Sequence, residues 1–311
     1  DCIDGNGGDD LIFGDGHNLT TGHGMYIEPL FSTDFDMNVN DNIGPGGNDG
    51  INAGAGNDTV YGGRGDDDIL GGSGDDMLFG GAGWDDLDGG VGNDTVDGGS
   101  GHDTLFGWDG DDVLLGKGGY DILHGEDGND TLDGGMWDDQ LDGGTGDNVL
   151  TGGDGADQFM IGVYANNGSL FFEGNNVITD FDYLDGGDQI CFNFWDYTPQ
   201  DAPWALEQGL TVTEADTDNN GIDDVIFTDA FGGTLTLLDA GLPGSLAYTN
   251  VFATGSHGHN GYAIGFDQFQ ADAASGGAPY FAGNPNNPVQ INCEYWWEAD
   301  FDLCNPDVMT V

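Results

Sequence analysis

The chain is 311 residues long, with 61 Gly and a formal charge of -56 that sets 58 acidic residues against two cations, Arg64 and Lys117. So few cations cannot neutralise phosphates, which excludes nucleic-acid binding and docking on an anionic membrane, and no apolar run approaches the roughly 18 residues of a transmembrane helix. Hydrophobic residues still make up 37%, so a core can form once something neutralises the carboxylates, and divalent cations are the natural agent.

The acids are mostly Asp, which favours turns over helices because its short carboxylate reaches nearby backbone or a cation. The opening segment lacks both the basic and the apolar part of a secretory signal, so a chain already trimmed or exported by another route is expected. A nine-residue pattern is present from the start. Asp1, Cys2, Ile3 and Asp4 fit positions six to nine of a truncated repeat, and residues 5–13, GNGGDDLIF, form another with Asp10 at position six. An interruption follows from about Gly14 to Ile43; an inserted loop of this length is either a functional protrusion or a local brace, and Tyr26, Ile27, Leu30 and Phe31 favour the brace.

From Gly44 to Met160 the frame holds without a break, as thirteen consecutive nonapeptides of the form G-G-x-G-x-D-x-U-x, where U is a large aliphatic or aromatic residue. Position six is Asp49, Asp58, Asp67, Asp76, Asp85, Asp94, Asp103, Asp112, Asp121, Asp130, Asp139 and Asp157, with Asn148 as the exception. Position eight runs from Val60 through Ile69, Leu78, Leu87 and onward to Phe159. One apolar residue in nine cannot make an amphipathic helix, but it can make a very short strand with one inward side chain.

This pattern resembles the calcium-binding RTX (repeats-in-toxin) family. The resemblance implies an all-β fold: a parallel β-roll, or solenoid, in which each repeat supplies a six-residue turn and a three-residue strand, and two repeats make a coil of eighteen residues. Glycines permit the positive φ angles of tight turns. Stacking then places each position-six Asp near the one eighteen residues on, with turn carbonyls pointing into the gap. An all-oxygen cage of that kind suits Ca²⁺, so several calcium ions are expected. Eleven such pairs can be formed; ten keep both Asp residues, and the pair of Asp130 with Asn148 is expected to be weaker. Stacked carboxylates at the strand spacing of about 4.8 Å would repel strongly without a counterion.

Residues 161–311 leave the repeat, become rich in aromatics and carry a β-like pattern, which makes them a second region, a β-rich cap on the roll at 1–160. The stretches VITDFDYLDGGDQICFNF (177–194) and VIFTDAFGGTLTLL (225–238) resemble the C-terminal cap of serralysin-type secreted proteases. A cap is physically required, since an open end would expose Phe159 and unpaired strand edges. Within it, DTDNNGIDD at 216–224 sets Asp216, Asp218, Asn220 and Asp224 around Gly221 as a second calcium loop, without the bidentate Glu of an EF-hand. The terminus Asp307-Val308-Met309-Thr310-Val311 resembles the export signal of type I secretion.

No H-E-x-x-H, G-x-S-x-G or P-loop is present, and no base or nucleophile constellation accompanies the aspartates, so the chain is not expected to be an enzyme. His257 and His259 read as loop residues; His102 and His124 fall at outward roll positions. Cys293 and Cys304 form the expected disulfide in an oxidising exterior, leaving Cys2 and Cys191, with Cys2 a candidate for bridging to the cap or to a neighbouring molecule. On the outside, the eighteen-residue coil lines up Trp84, His102 and Tyr120, with Trp137 one residue out of register, and Tyr61, Phe79 and Leu115 share a sheet face with Met77, Val113 and Val149. A contiguous stripe of this kind suggests a contact surface for a glycan or another copy of the chain. The function expected is a secreted, extracellular or cell-surface calcium-binding roll that folds on meeting calcium after export, with a structural or adhesive role in a surface layer, matrix or filament and head-to-tail stacking of copies. The alternative is the folding and type I secretion module of a larger secreted enzyme or toxin.

Overall fold

A computed structural model describes residues 2–5, 8, 11–13, 47–166, 169–181, 188–194, 211–222, 224–239, 252–256 and 259–264. The regular structure among the described residues is entirely β, with no helix of the length and apolarity needed to cross a membrane. Because each nonapeptide ends in a turn that reverses the chain, successive repeats send their strands to opposite walls. One sheet runs β1 (Cys2–Asp4), β3 (Gly50–Ala55), β5 (Asp68–Ser73), β7 (Asp86–Val91), β9 (Thr104–Asp109), β11 (Ile122–Asp127), β13 (Gln140–Asp142) and β15 (Gln158–Asn166). The facing sheet runs β2 (Leu11–Phe13), β4 (Thr59–Arg64), β6 (Met77–Gly83), β8 (Thr95–Gly101), β10 (Val113–Gly118), β12 (Thr131–Met136) and β14 (Val149–Asp154).

Within each sheet the pairing is parallel and shifts by one coil of eighteen residues. Ile69, Leu87, Leu105, Leu123, Leu141 and Phe159 are successive partners in the first sheet. Val60, Leu78, Val96, Leu114, Leu132 and Leu150 are successive partners in the second. All of them are fully buried in one apolar cluster. Each such side chain contributes about 1.5–3 kcal/mol on leaving water, so the single hydrophobic position per repeat is what holds the two walls together.

The strands are longer than the expected three residues. Most contain six, because the ladder continues past position nine through the glycines: Gly72 pairs with Gly90, and Gly81 with Gly99. Glycine at position one faces inward where no side chain fits, so the backbone stays extended and paired before it turns. The two N-terminal strands enter in the same register, Ile3 opposite Ile51 and Ile12 opposite Val60. The interval 14–43 between them, including the expected brace, lies outside the described residues.

Both sheets run past the last nonapeptide. β18 (Gln189–Phe194) lies parallel to β15, with Ile190 opposite Phe159, and β22 (Phe252–Ser256) and β23 (His259–Ile264) extend that wall. On the other wall β17 (Asn176–Ile178) and β21 (Thr234–Leu237) add in parallel, and β20 (Asp224–Thr228) and β19 (Thr211–Ala215) close it as an antiparallel meander. The short β16 (Ser169–Phe172) folds back on β15. Phe159 is thereby covered, by Ile190 and by the ring of Phe181 at 6.1 Å. Cys191 on β18 is buried; Cys293 and Cys304, like the terminus 307–311, lie outside the described residues.

Candidate metal centre

The position-six aspartates sit where each turn re-enters a strand, so the coil stacks them in two rows, one along each edge of the roll. All eleven neighbouring pairs are joined in one way. The Asp49 N–H donates to Asp67 Oδ1 at 2.8 Å, Asp58 to Asp76 at 2.8 Å, Asp85 to Asp103 at 3.0 Å, and the pattern continues to Asp139 with Asp157 at 2.8 Å. The Asp130 N–H meets Asn148 Oδ1 at the same 2.8 Å, so the row is continuous through the one amide.

The second carboxylate oxygen is different. In Asp49, Asp58, Asp67, Asp76, Asp85, Asp94, Asp103, Asp112, Asp121, Asp130, Asp139 and Asp157, Oδ2 is buried and has no hydrogen-bond partner. Its surroundings are acceptors. A Cβ placed on Gly62 would lie 2.5 Å from Asp67 Oδ2 and 2.8 Å from the Gly80 carbonyl oxygen; on Gly116 it would lie 2.6 Å from Asp121 Oδ2 and 2.6 Å from the Gly134 oxygen. The glycines thus leave open a small cradle lined by carboxylate and carbonyl oxygens. Asn148 is an internal control. Its Nδ2 stands in the place of Oδ2 and donates to the Gly143 carbonyl at 2.9 Å. Where the chain has an amide, the amide's own hydrogens satisfy the site; where it has Asp, something positive has to come from outside. A hard divalent cation that accepts oxygen ligands fits this donor set, and an unpaired buried carboxylate is otherwise costly.

The electrostatics agree. Burial pushes the carboxyls of Asp85, Asp94, Asp103 and Asp130 up to about 7 and that of Asp139 up to about 8. The N–H donated from the adjacent coil holds them back, and stacked neighbours such as Asp103 beside Asp85 push them up again. Asp112, Asp121 and Asp157 are raised by burial to about 6. A carboxyl raised in the fold favours folding while it is protonated and loses that contribution as pH rises from about 4 to about 8. Metal-free chain is therefore expected to gain β-structure when shifted from pH 7.5 to pH 5.5 in excess chelator, as read by circular dichroism. An ellipticity independent of pH would contradict the burial of these rows.

The rows continue into the cap at a residue absent from the nonapeptide frame. The Asp157 N–H donates to Asp188 Oδ1 at 3.0 Å, and Gln158 and Phe159 pair with Gln189 and Ile190. The signal was the triplet Asp188-Gln189-Ile190 after Gly186-Gly187, a repeat half hidden by the loss of spacing.

Asp10 lies outside the described residues. In the cap loop the structure brings together Asp218, Asp224 and Asp239, with carboxylate oxygens within 4.8 Å of one another. Asp216 instead accepts the N–H groups of Asn220 and Gly221 at 3.0 and 3.1 Å, and Asn220 bridges Asp218 and Asp239 through its amide. Burial would raise the Asp224 carboxyl, but hydrogen bonds from Thr217 and from the Asp239 N–H hold it below the usual range. Asp239 comes from the far end of the β20–β21 hairpin, which no local pattern joins to 216–224.

A second set of side chains stacks on the outside of the turns, at position five. The Trp84 N–H donates to Asp66 Oδ1, Asn93 to Asp75 and Asp111 to Asn93, at 2.8–3.0 Å. Here each side chain reaches toward the later coil, whereas the position-six aspartates reach toward the earlier one. His124 was expected to face outward and does stand on the outer sheet face, stacked on Phe106 at 4.8 Å, but it is only 9% exposed and burial lowers its pKa.

Parallel walls, an eighteen-residue coil and two rows of half-satisfied buried aspartates define a parallel β-roll with oxygen-lined cradles suited to a hard cation. Residues 1–18, 43–78, 79–114, 109–136 and 138–162 match the RTX calcium-binding nonapeptide repeat. Over those stretches the chain carries RTX calcium-binding repeats, a family that binds calcium ions at multiple sites and whose proteins are typically secreted. No curated protein matches the chain.

Proposed function

We propose that the chain is an extracellular calcium-binding β-roll of structural or adhesive role, whose position-six aspartates and turn carbonyls hold the ions and which folds when it meets calcium after export. Asp188 belongs to the same set, and Asp218, Asp224 and Asp239 make a separate site in the cap. The observation that carries the reading is the contrast between Asn148, whose amide hydrogen is used, and twelve aspartates whose Oδ2 is buried without a partner. Bound calcium supplies the charge there and contributes its binding free energy to folding. In a calcium-poor interior, repulsion among the carboxylates keeps the chain extended, which suits passage through an export channel. Extracellular calcium then makes the fold and keeps it, so the role is that of a scaffold and not of a catalyst.

The test uses the same residue. Equilibrium dialysis against radioactive calcium is expected to find several ions per chain, and one more in Asn148→Asp than in the wild type. In chelator that variant is expected to be the less stable of the two. An unchanged ion count would remove the assignment of ions to these rows.

A further inference from the structure

One edge of the roll carries a single-file row of exposed rings, and we propose that this row is a binding ledge for a linear, uncharged polysaccharide. Trp84, His102 and Tyr120 hold position five of three successive coils, and Trp137 holds position four of the next. Ring centroids follow one another at 5.1, 5.0 and 5.1 Å. Trp84, Tyr120 and Trp137 expose 66%, 46% and 56% of their surface.

Position five elsewhere in the roll is mostly Asn or Asp, whose side-chain oxygen binds the next coil. Trp84 and Tyr120 give up that bond. His102 keeps it through Nδ1, which accepts the Tyr120 N–H at 2.7 Å. The neutral ring therefore carries its proton on Nε2, on the side away from the backbone, where it can donate to a ligand hydroxyl. Trp137 costs more. Position four is Gly in the other twelve repeats, and Trp137 takes a φ of 89° to stand there, a conformation that strains a bulky residue. The strain places its indole edge-on against Tyr120 and completes the row. Beside the rings, position three is Ala82, Ser100 and Gly118, so that flank stays open until Met136.

Three features select the ligand. The pitch is the coil rise of about 4.8 Å, close to the length of one pyranose unit, so the exposed parts of successive tilted rings fall opposite successive sugars and offer them apolar contact. The row is one ring wide, well short of the roughly 1,000 Å² that a specific protein interface buries. The formal charge of -56, offset only in part by bound calcium, repels a second copy and any polyanion. An uncharged polymer meets no such barrier, and the exposed carboxylates of Asp66 and Asp138, at position five on either side of the rings, can accept its hydroxyls.

The ledge rests on the calcium-folded roll, so the experiment reads both. The full chain in calcium is incubated with insoluble cellulose and chitin, and titrated with their soluble hexasaccharides while tryptophan fluorescence is followed. Binding to one of these polymers is expected, weakened about two- to tenfold by Trp84→Ala and by Tyr120→Ala and abolished by the double variant, with each variant's circular dichroism in calcium unchanged. Phe231→Ala, at an exposed ring off the row, is expected to bind as the wild type does. A folded wild type that binds neither polymer, or binds equally well without the rings, overturns the ledge. So does sedimentation showing that these variants break a dimer, which would make the row a self-association surface. A wild type that stays unfolded in calcium would instead overturn the roll reading itself.

Discussion

Stripped of divalent cations at pH 7.5, the chain is expected to lose the β signal of its stacked coils and to expand, and to recover both when calcium returns at about millimolar concentration. Twelve buried carboxylate oxygens without a donor are the reason. At that pH a buried carboxyl with such an oxygen, as in Asp85, Asp103 or Asp139, either carries charge in a low-dielectric site or holds a proton at a cost. Neither state is stable alongside its stacked neighbours. Magnesium is expected to substitute poorly, because it demands a tighter octahedron and sheds water reluctantly. Small-angle scattering in chelator should give a radius of gyration at least about twice that of the calcium form if the whole chain opens. A chain that stays compact in excess chelator at neutral pH would end the account of the metal rows.

Gly119→Ala is expected to lower stability in saturating calcium by at least about 1–3 kcal/mol, while Gly118→Ala, one residue earlier, stays within about 0.5 kcal/mol of the wild type. Gly119 has a φ of 148°, and a Cβ there would overlap the Gly101 carbonyl oxygen of the preceding coil. The backbone of one turn lies directly on the next, and there is no side chain to move aside. At Gly118 a Cβ would meet the flexible end of Met136 at 3.3 Å and the Gly99 oxygen only at 3.9 Å. Thermal melts of the two variants at equal calcium make the comparison. Coincident melting would mean that the coils do not stack at this spacing.

The coil, the core and the aspartate rows are legible in the amino-acid sequence because each is a periodic consequence of a nine-residue unit. Val60 to Phe159 could be assigned inward, and Asp49 to Asp157 to the turns, without any knowledge of pairing. What escaped was aperiodic. Asp188 lies thirty-one residues after Asp157, so a search at fixed spacing passes over it. Asp239 reaches Asp224 only through a hairpin. His124 has a position that faces out of the sheet, and its burial depends on what packs against that face. The outer row was periodic and still unread: Asn48, Asn57, Asp66, Asp75 and Asn93 at position five look like ordinary turn residues until stacking makes each an acceptor for the coil that follows.

The two rows of side-chain bonds point in opposite senses along the roll, and this gives the molecule a mechanical grain. An interior turn is latched to its predecessor by one aspartate and to its successor by another side chain, so it cannot peel away while both neighbours remain. Rupture is confined to the extremities. The cap seals the one at Phe159, where Asp188 continues the latch, so the windings beside it are expected to resist tension or a protease as interior ones do.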